Sequence, residues 1–141
     1  MSKVSIIIPA YNAEQWIEET LNSALLQTWP NKEIILVDDD SSDETLTKAK
    51  RYESSELKIL LQEHSGPGTA RNRALQVSQG DYIQYLDHDD LLSPEKVEEQ
   101  VKLLAESPAR TVAISAAVYF IDGQDPDDGL RQDGWPIIDT D

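Results

Sequence analysis

Residues 4–12 read VSIIIPAYN, a run of aliphatic side chains that ends in a proline and an aromatic residue. The run is too short to be a signal peptide or to span a bilayer. It does not alternate strictly between apolar and polar residues, which is typical of a strand buried on both faces, as in a parallel sheet. We therefore predict a central strand at residues 4–8.

Similar segments recur three more times along the chain. Each is short, rich in isoleucine, valine and leucine, and bounded by polar residues, so strands are favoured over helices. The predicted strands lie at residues 33–37, 57–61 and 82–86, with a fifth candidate at residues 111–121.

Helical periodicity fills the first two segments between these strands. Residues 13–28 are predicted to form the first helix, with Asn12 as its N-cap and a glutamine three residues later. The sequence SSDE at residues 41–44 has the pattern of a capping box that opens a second helix.

Two further helices are predicted in the second half of the chain. One covers residues 67–79 and ends before Gly80, because glycine commonly stops a helix. The other opens at Ser93 and Pro94, since proline suits the first helical turn. Strands and helices that alternate in this order predict an α/β fold, with a doubly wound, mainly parallel sheet flanked by helices.

Composition restricts the function classes that remain open. The chain has 141 residues, enough for one domain with a real core, and 39% of them are hydrophobic. It contains no cysteine, which excludes disulfides and thiolate metal sites, and we expect a cytoplasmic location. The net charge of −15 disfavours nucleic acid and anionic membrane surfaces as partners, and no segment suits a membrane span.

The candidate site follows from the predicted topology. Ligands of parallel α/β sheets bind beyond the carboxyl ends of the strands, near the point where the winding reverses. In this chain, those ends carry an aromatic residue, two acidic clusters and a histidine- and glycine-containing loop. The four segments that should meet at one edge are residues 9–12, 38–43, 64–68 and 87–90.

The DHDD sequence at residues 87–90 is a candidate metal site. On an extended backbone, the carboxylates of Asp87 and Asp89 would point the same way, and two such charges favour a compensating cation. Oxygen ligands favour Mg²⁺ or Mn²⁺, which commonly complete their shells with substrate phosphates. The alternative is a purely structural acidic loop in which Asp90 or Ser93 caps the next helix.

The remaining candidates also have two interpretations each. An acid among residues 38–40 could accept a hydrogen bond from a nucleobase edge while Tyr11 stacks beside it, or the acids could only complement a helix dipole and Tyr11 could be a core aromatic. Arg71, in the first turns of the third helix, is a candidate diphosphate ligand or a surface ion-pair partner. His64 is interpreted as a partly exposed loop residue, and His88 should point away from its acidic neighbours.

At this point the sequence resembles the family 2 glycosyltransferases, which have the GT-A fold. The resemblance covers residues 3–107, and the combined motifs are specific although each alone is not. The matching pieces are VSIIIPAYN at residues 4–12, EIILVDD at 33–39, SSD at 41–43, ARN at 70–72, GDYI at 80–83 and LDHDD at 86–90.

The resemblance implies a transferase that moves a sugar from a nucleoside-diphosphate donor, UDP-linked by analogy, to a hydroxyl of a saccharide, lipid-linked or other acceptor, with inversion and metal assistance. Mg²⁺ or Mn²⁺ is the implied cofactor, with Asp87 and Asp89 as its ligands. The implied donor-binding residues are Pro9, Tyr11, Asp39, Arg71, Asp87 and His88.

The sequence departs from the family pattern in two respects. Asp40 stands where the family commonly has glycine, so the base-binding loop is expected to differ in shape. Family members also continue into an acceptor-binding half with the general base, for which no residue here can be assigned. We expect residues 1–121 to form a nucleotide-sugar-binding domain that binds donor only, and residues 122–141 to be a polar loop, a flexible lid or the start of the acceptor half of a truncated chain.

Several rival interpretations fit less well. A receiver-type signalling module needs acids after the first strand and a lysine after the fifth, whereas this chain has PAYN at residues 9–12. A calcium loop from Asp38 would need an acid at its twelfth position, where Ala49 stands. A haloacid-type phosphatase would carry its nucleophile on the first strand. A non-catalytic nucleotide-sugar-binding domain is the alternative that stays open.

Overall fold

Four parallel strands form the main sheet of the protein. The computed structural model describes residues 1–115, 117–119, 123–125 and 130–131. The sheet order is β3-β2-β1-β4, so the chain winds outward from β1 to β3 and then returns to the other side of β1. This confirms the predicted doubly wound parallel sheet, and the winding reverses beside β1. The strands are β1 (Val4–Ala10), β2 (Lys32–Asp38), β3 (Leu57–Leu61) and β4 (Tyr82–Tyr85).

Four helices connect and cover these strands. No helix among the described residues is long and apolar enough to cross a bilayer. The helices are α1 (Ile17–Leu25), α2 (Thr45–Lys50), α3 (Pro67–Val77) and α4 (Lys96–Ala105).

The central strand β1 is buried over its whole length, as predicted for a strand covered on both faces. Ile6 and Ile8 belong to the cluster that contains residues of α1, α2 and α4, whereas Ile7 belongs to the cluster that contains residues of α3. The inner face of α3 consists of Ala70 and Ala74, which are fully buried. Small side chains at these positions let α3 pack closely on the sheet.

α1, α2 and α4 begin later than the sequence patterns indicated, whereas α3 begins at Pro67 as predicted. α1 begins at Ile17, and Asn12 is not its N-cap, because Asn12 lies in a left-handed conformation with φ 47° five residues upstream. α2 begins at Thr45 without a side-chain cap, so the predicted capping box is wrong. α4 begins at Lys96, two residues after Pro94. At α1 and α2 the polar residues that resemble caps make loop contacts instead.

The fifth strand of the main sheet is not found among the described residues. Residues 111–115 have no regular secondary structure. Instead, β5 (Val118–Tyr119) pairs antiparallel with β6 (Leu130–Arg131) in a separate two-stranded ribbon. Most of residues 122–141 lie outside the described residues, so the prediction for that segment stays a prediction.

A polar network joins the amino ends of β1, β2 and β4. Glu33 is 4% exposed and accepts hydrogen bonds from the Ser5 hydroxyl (2.6 Å), the Gln79 amide (2.6 Å) and the Lys3 ammonium (2.9 Å). Burial raises the pKa of Glu33, but these hydrogen bonds and the charge of Lys3 outweigh it, so its pKa is lowered. The network therefore holds a buried carboxylate in its charged form.

Gly80 has a different role from the helix stop that the sequence indicated. α3 ends at Val77 with Ser78 as its C-cap, two residues before Gly80. The Gly80 amide donates to the Ser5 hydroxyl at 2.9 Å, and a Cβ on Gly80 would lie 2.5 Å from the Ser5 backbone nitrogen. Glycine is needed there because backbone atoms approach closely, not because a helix ends.

We predict that Gly80→Ala lowers the free energy of unfolding by at least about 2 kcal/mol, since the added methyl group meets backbone that cannot move without disturbing the sheet. Gly68→Ala is the matched control, because a Cβ there meets nothing within 4 Å. Urea denaturation should find the control unchanged or stabilised by about 0.5 kcal/mol, as expected for alanine replacing glycine in a helix. Equal effects of the two substitutions would contradict the packing argument.

Candidate functional site

The segment between β1 and α1, residues 11–16, is here called the tyrosine loop. Tyr11 is 42% exposed, so it is not a core aromatic. Asn12 receives a hydrogen bond from the Ser42 amide on its Oδ1 (2.9 Å) and donates its own amide to the Ser41 hydroxyl (3.1 Å). These contacts attach the tyrosine loop to the loop after β2, and asparagine tolerates the left-handed backbone that they require.

A second set of contacts supports the tyrosine loop from below. The Thr45 side chain is fully buried and accepts a hydrogen bond from the Ala13 amide at 2.7 Å. Asp43 accepts from the Thr45 hydroxyl and amide and from the Glu14 amide. Burial raises the pKa of Asp43, but hydrogen bonds from Thr45 and Glu14 lower it by more, so its pKa falls below the ordinary value. The residues that resembled a capping box thus position the tyrosine loop.

Asp39 is the most heavily hydrogen-bonded carboxylate at the carboxyl edge of the sheet. It is 2% exposed, and its Oδ1 accepts from the Gln62 side chain (2.6 Å) and the Ser65 amide (2.8 Å). Its Oδ2 accepts from the Gly66 amide at 2.9 Å. Burial raises the pKa of Asp39, but these three hydrogen bonds, with a smaller contribution from His64, lower it below its usual range. Asp39 therefore stays ionised while it organises the loop after β3.

His64 joins Tyr11 to Asp39. Its ring is tilted by 36° against the Tyr11 ring at a centroid distance of 4.3 Å, and its Nδ1 lies 3.0 Å from Asp39 Oδ2. The side chain is 55% exposed, as the sequence interpretation expected, but that interpretation missed its contacts. Its position directly after β3, at the same edge as the other candidates, was the available signal.

The two other acids after β2 differ in exposure. Asp38 is 3% exposed; its Oδ2 accepts from the Ser41 amide at 3.2 Å, and its buried Oδ1 has no partner among the residues that the structure describes. Asp40 is exposed and has φ 64°, a left-handed conformation that favours glycine. The loop therefore keeps a glycine-like backbone although it carries an aspartate there.

The segment after β4, residues 87–92, is here called the acidic loop. Its backbone turns, because the Asp90 amide donates to the Asp87 carbonyl at 3.1 Å, so the expected extended geometry of Asp87 and Asp89 is wrong. Nor does Asp90 or Ser93 cap a helix with its side chain, since α4 begins only at Lys96. Arg71 donates to Asp87 Oδ1, so the ion-pair interpretation of Arg71 is observed.

His88 points away from the acids that flank it, as expected. Its Nδ1 lies 3.3 Å from the carbonyl oxygen of Pro9, which is buried in β1, and its own carbonyl accepts from the Thr20 hydroxyl at 2.8 Å. Asp87 and Asp89 are exposed. The sequence interpretation did not single out Thr20, because a threonine inside a helical pattern carries no signal of its use.

Two half-sites therefore flank the end of β1. On the β2 side, Tyr11, His64 and Asp39 are in contact. On the β4 side, Asp87 is paired with Arg71, and His88 contacts β1 through Pro9. The structure thus brings the predicted donor-binding residues to one edge of the sheet.

The acidic loop carries clustered negative charge that a bound cation would neutralise. The pKa of Asp90 is raised, first by burial and then by the nearby charges of Asp89 and Asp87. Across the described part of the chain, no group of three or more histidine, cysteine, aspartate or glutamate side chains is arranged to hold a metal ion. Two carboxylates fit a Mg²⁺ or Mn²⁺ ion only if other ligands, such as phosphate oxygens and water, complete its shell.

The family description "Glycosyl transferase family 2" matches residues 5–137, nearly the whole chain. The chain belongs to glycosyltransferase family 2. Among relatives of this family 2 chain, TuaG of Bacillus subtilis (strain 168), a glycosyltransferase named for teichuronic acid biosynthesis, is 41% identical over 95% of this chain and 50% of its own length. The Escherichia coli enzyme WfgD, named as a UDP-Glc:alpha-D-GlcNAc-diphosphoundecaprenol beta-1,3-glucosyltransferase, is 41% identical over 74% of this chain and 42% of its own.

Solved structures of similar proteins confirm the GT-A-like fold of this family 2 chain. TarS 1-349 of S. aureus, solved with UDP and with UDP-GlcNAc, has a TM-score of 0.70 and 32% identity over 81% of this chain. A mannosyltransferase from Pyrobaculum calidifontis, solved with GDP-Man and Mn²⁺, has a TM-score of 0.70 and 29% identity over 74% of this chain. The chain covers 39% of TarS 1-349 with UDP and 33% of the mannosyltransferase, and about half or less of the relatives named above.

We predict that Asp39→Asn destabilises this family 2 chain by about 1–3 kcal/mol at neutral pH, because an amide cannot accept all the hydrogen bonds that Asp39 receives. The lowered pKa of Asp39 means that its stabilisation is present above its ordinary value of 3.8 and is lost as pH falls through the lower folded value. The stability gap between wild type and variant should therefore narrow at acid pH.

Chemical denaturation at pH 7 and at several values below 4 measures this gap. Asp40→Asn is the control, because it removes the neighbouring exposed charge and keeps a side chain that tolerates positive φ. A gap for Asp39→Asn that stays constant with pH would show that the carboxylate charge is not what stabilises the loop.

A further prediction concerns the backbone at Asp40. Asp40→Gly should raise the free energy of unfolding by about 0.5 kcal/mol, and Asp40→Val should lower it by about 1–2 kcal/mol, because a β-branched residue is strained at φ 64°. Thermal denaturation should rank the three proteins in the order glycine, aspartate, valine. If valine were tolerated as well as glycine, the loop would not require the left-handed conformation.

Proposed function

We propose that the chain is the donor-binding part of an inverting, metal-assisted glycosyltransferase that uses a nucleoside-diphosphate sugar, most simply one linked to UDP. The observation that carries the proposal is the arrangement around β1, with an exposed Tyr11 ring and a buried ionised Asp39 on one side and the acidic loop on the other. The family membership, and the UDP and UDP-GlcNAc complexes of TarS, support it.

We assign the nucleobase to the half-site of Tyr11 and Asp39. Asp39 is nearly inaccessible, so its carboxylate can accept a hydrogen bond from a base edge only if one present contact is released. Among these contacts the His64 side chain is 55% exposed, whereas the Gly66 and Ser65 amides belong to the loop backbone. We therefore assign to His64 a movement that frees both Asp39 Oδ2 and the face of the Tyr11 ring for the base.

We assign the diphosphate to the half-site of Arg71 and the acidic loop. A guanidinium suits phosphate oxygens, so Arg71 would exchange its contact with Asp87 for the donor. Asp87 and Asp89 would hold Mg²⁺ or Mn²⁺, which as a Lewis acid neutralises charge on the departing diphosphate. The Mn²⁺ complex of the related mannosyltransferase supports this cofactor.

The reaction that we propose is a direct displacement at the anomeric carbon. A bond forms from an acceptor hydroxyl oxygen to that carbon, the bond from the carbon to the diphosphate oxygen breaks on the opposite face, and a base takes the hydroxyl proton. We assign no base in this chain, so the chain alone should bind donor without transferring sugar. The name of WfgD supports a lipid-linked saccharide as one acceptor class, and a cytoplasmic site of action stays part of the proposal.

Calorimetric titration with UDP, GDP, CDP and ADP, each with and without Mn²⁺, tests this function. We expect UDP to bind, and Mn²⁺ to tighten its binding by about tenfold, which corresponds to 1.4 kcal/mol. Asp89→Ala should abolish the gain from Mn²⁺ and leave metal-free UDP binding near the wild-type value, because Asp89 is assigned to the metal alone.

Glu99→Ala is the control, since it removes one exposed charge on α4 and leaves the acidic loop intact. It should keep the full gain from Mn²⁺. Failure of every nucleoside diphosphate to bind wild type would refute donor binding, and binding of UDP without any effect of Mn²⁺ would refute the metal assignment.

A further inference from the structure

One face of α1, together with Gln27 two residues after the helix ends, carries polar side chains directed at the acidic loop and the start of α4. Thr20 and Ser23 are three residues apart on one face of α1, and Gln27, four residues further on, continues that side. Thr20 is fully buried and Gln27 is 3% exposed. Buried polar side chains need partners, and here the partners lie on the acidic loop, on Ser93 directly after it and in the first turn of α4.

The contacts follow one another along the chain. The Thr20 hydroxyl donates to the His88 carbonyl at 2.8 Å, and the Ser23 hydroxyl accepts from the Leu92 amide at 3.2 Å. The Gln27 side chain donates to the carbonyl of residue 93 (2.8 Å) and accepts from the amide of residue 97 (3.0 Å). The acidic loop is thus held near both of its ends by one helix face.

The Thr20 contact lies closest to the assigned metal ligands. Its acceptor is the carbonyl oxygen of His88, the residue between Asp87 and Asp89. A contact that fixes this carbonyl therefore also fixes the backbone from which the two flanking side chains extend. The side chain of His88 is held as well, because its Nδ1 lies 3.3 Å from the Pro9 carbonyl oxygen. Thr20 has no exposed surface and therefore cannot contact a donor or a metal itself.

We propose that Thr20 is a positioning residue for metal-dependent donor binding, because its buried hydroxyl fixes the acidic loop through the His88 carbonyl. The inference rests on the proposed function for the metal role of Asp87 and Asp89. Without the hydroxyl, the carbonyl loses its partner and the loop loses the contact that sets the direction of both carboxylates. Partners that orient metal ligands commonly change metal affinity by 10–100-fold when they are removed.

Thr45 provides a matched control on the other half-site. It is also a fully buried threonine, but its hydroxyl accepts from the Ala13 amide and donates to Asp43, so it supports the tyrosine loop. Removal of either hydroxyl by Thr→Val conserves side-chain shape and removes one buried hydrogen-bonding group. If the two hydroxyls served only the stability of the fold, the two variants should therefore change UDP binding in the same way. If they position separate half-sites, the two variants should differ.

The experiment measures UDP affinity by calorimetry, without metal and with Mn²⁺, for wild type, Thr20→Val, Thr20→Ser and Thr45→Val. We expect Thr20→Val to reduce the gain from Mn²⁺ by about tenfold and to keep metal-free UDP affinity within about twofold of wild type. Thr20→Ser should restore the gain, because serine keeps the hydroxyl. Thr45→Val should weaken metal-free UDP binding and keep the gain from Mn²⁺.

The outcomes separate this inference from the proposed function. If Thr20→Val keeps the wild-type gain in UDP affinity from Mn²⁺, the positioning role is overturned and the proposed function stays intact. The same conclusion follows if Thr20→Val weakens metal-free and Mn²⁺-dependent UDP affinity in equal proportion. Absence of a gain in wild type overturns the metal assignment, and this inference with it, but leaves donor binding intact. If Thr20→Val does not fold, Ser23→Ala removes the next contact of the same helix face, and a normal gain from Mn²⁺ in that variant overturns the inference.

Discussion

The placement of β1 between β2 and β4 is the constraint on which the site depends. Ala10 is in register with Asp38 on one side, and Ile7 is in register with Tyr85 on the other, so the loops after β2 and β4 emerge beside the end of β1. Because the winding reverses there, no helix connection crosses the gap between the two loops. A burial pattern that makes β1 the central strand therefore also determines where a ligand can bind.

The two ends of the sheet use buried carboxylates for different purposes. At the amino ends, Glu33 is held by three donors from two chain segments, and the neighbouring Gly80 lies too close to the Ser5 backbone for any larger residue. At the carboxyl ends, Asp39 is held equally firmly by loop amides, but one of its contacts is the exposed ring of His64. The first carboxylate is buried in a network that stabilises the fold, whereas the second has a contact from an exposed side chain, the one that the proposed function releases.

The sequence predicted the parallel sheet and the clustering of site residues, because apolar runs and the loops that follow strands are local patterns. It did not predict how polar residues divide between caps and long-range contacts. SSDE at residues 41–44 has the same local pattern whether it caps a helix or supports the tyrosine loop, and only the contacts of Ser42 with Asn12 and of Asp43 with Glu14, 30 and 29 residues apart, decide between them. The contact of His64 with Tyr11 and that of Thr20 with the acidic loop, 68 residues apart, are equally long-range. Among the described residues the main sheet has no fifth strand, and the sequence did not predict the ribbon of two-residue strands, because strands this short leave no pattern in the sequence.

Electrostatics explains why the proposed diphosphate needs local compensation in this protein. A net charge of −15 repels an anionic donor at long range, although salt screens such repulsion beyond a Debye length of about 8 Å. At short range, Arg71 is neutralised by Asp87, so in the present arrangement neither the guanidinium nor the acidic loop offers unbalanced positive charge to a phosphate. The cation of the proposed function would reverse both conditions at once, because it would draw Asp87 away from Arg71 and add positive charge of its own. Metal and donor binding should therefore strengthen each other, and the exposure of the Arg71–Asp87 pair keeps the cost of separating it small.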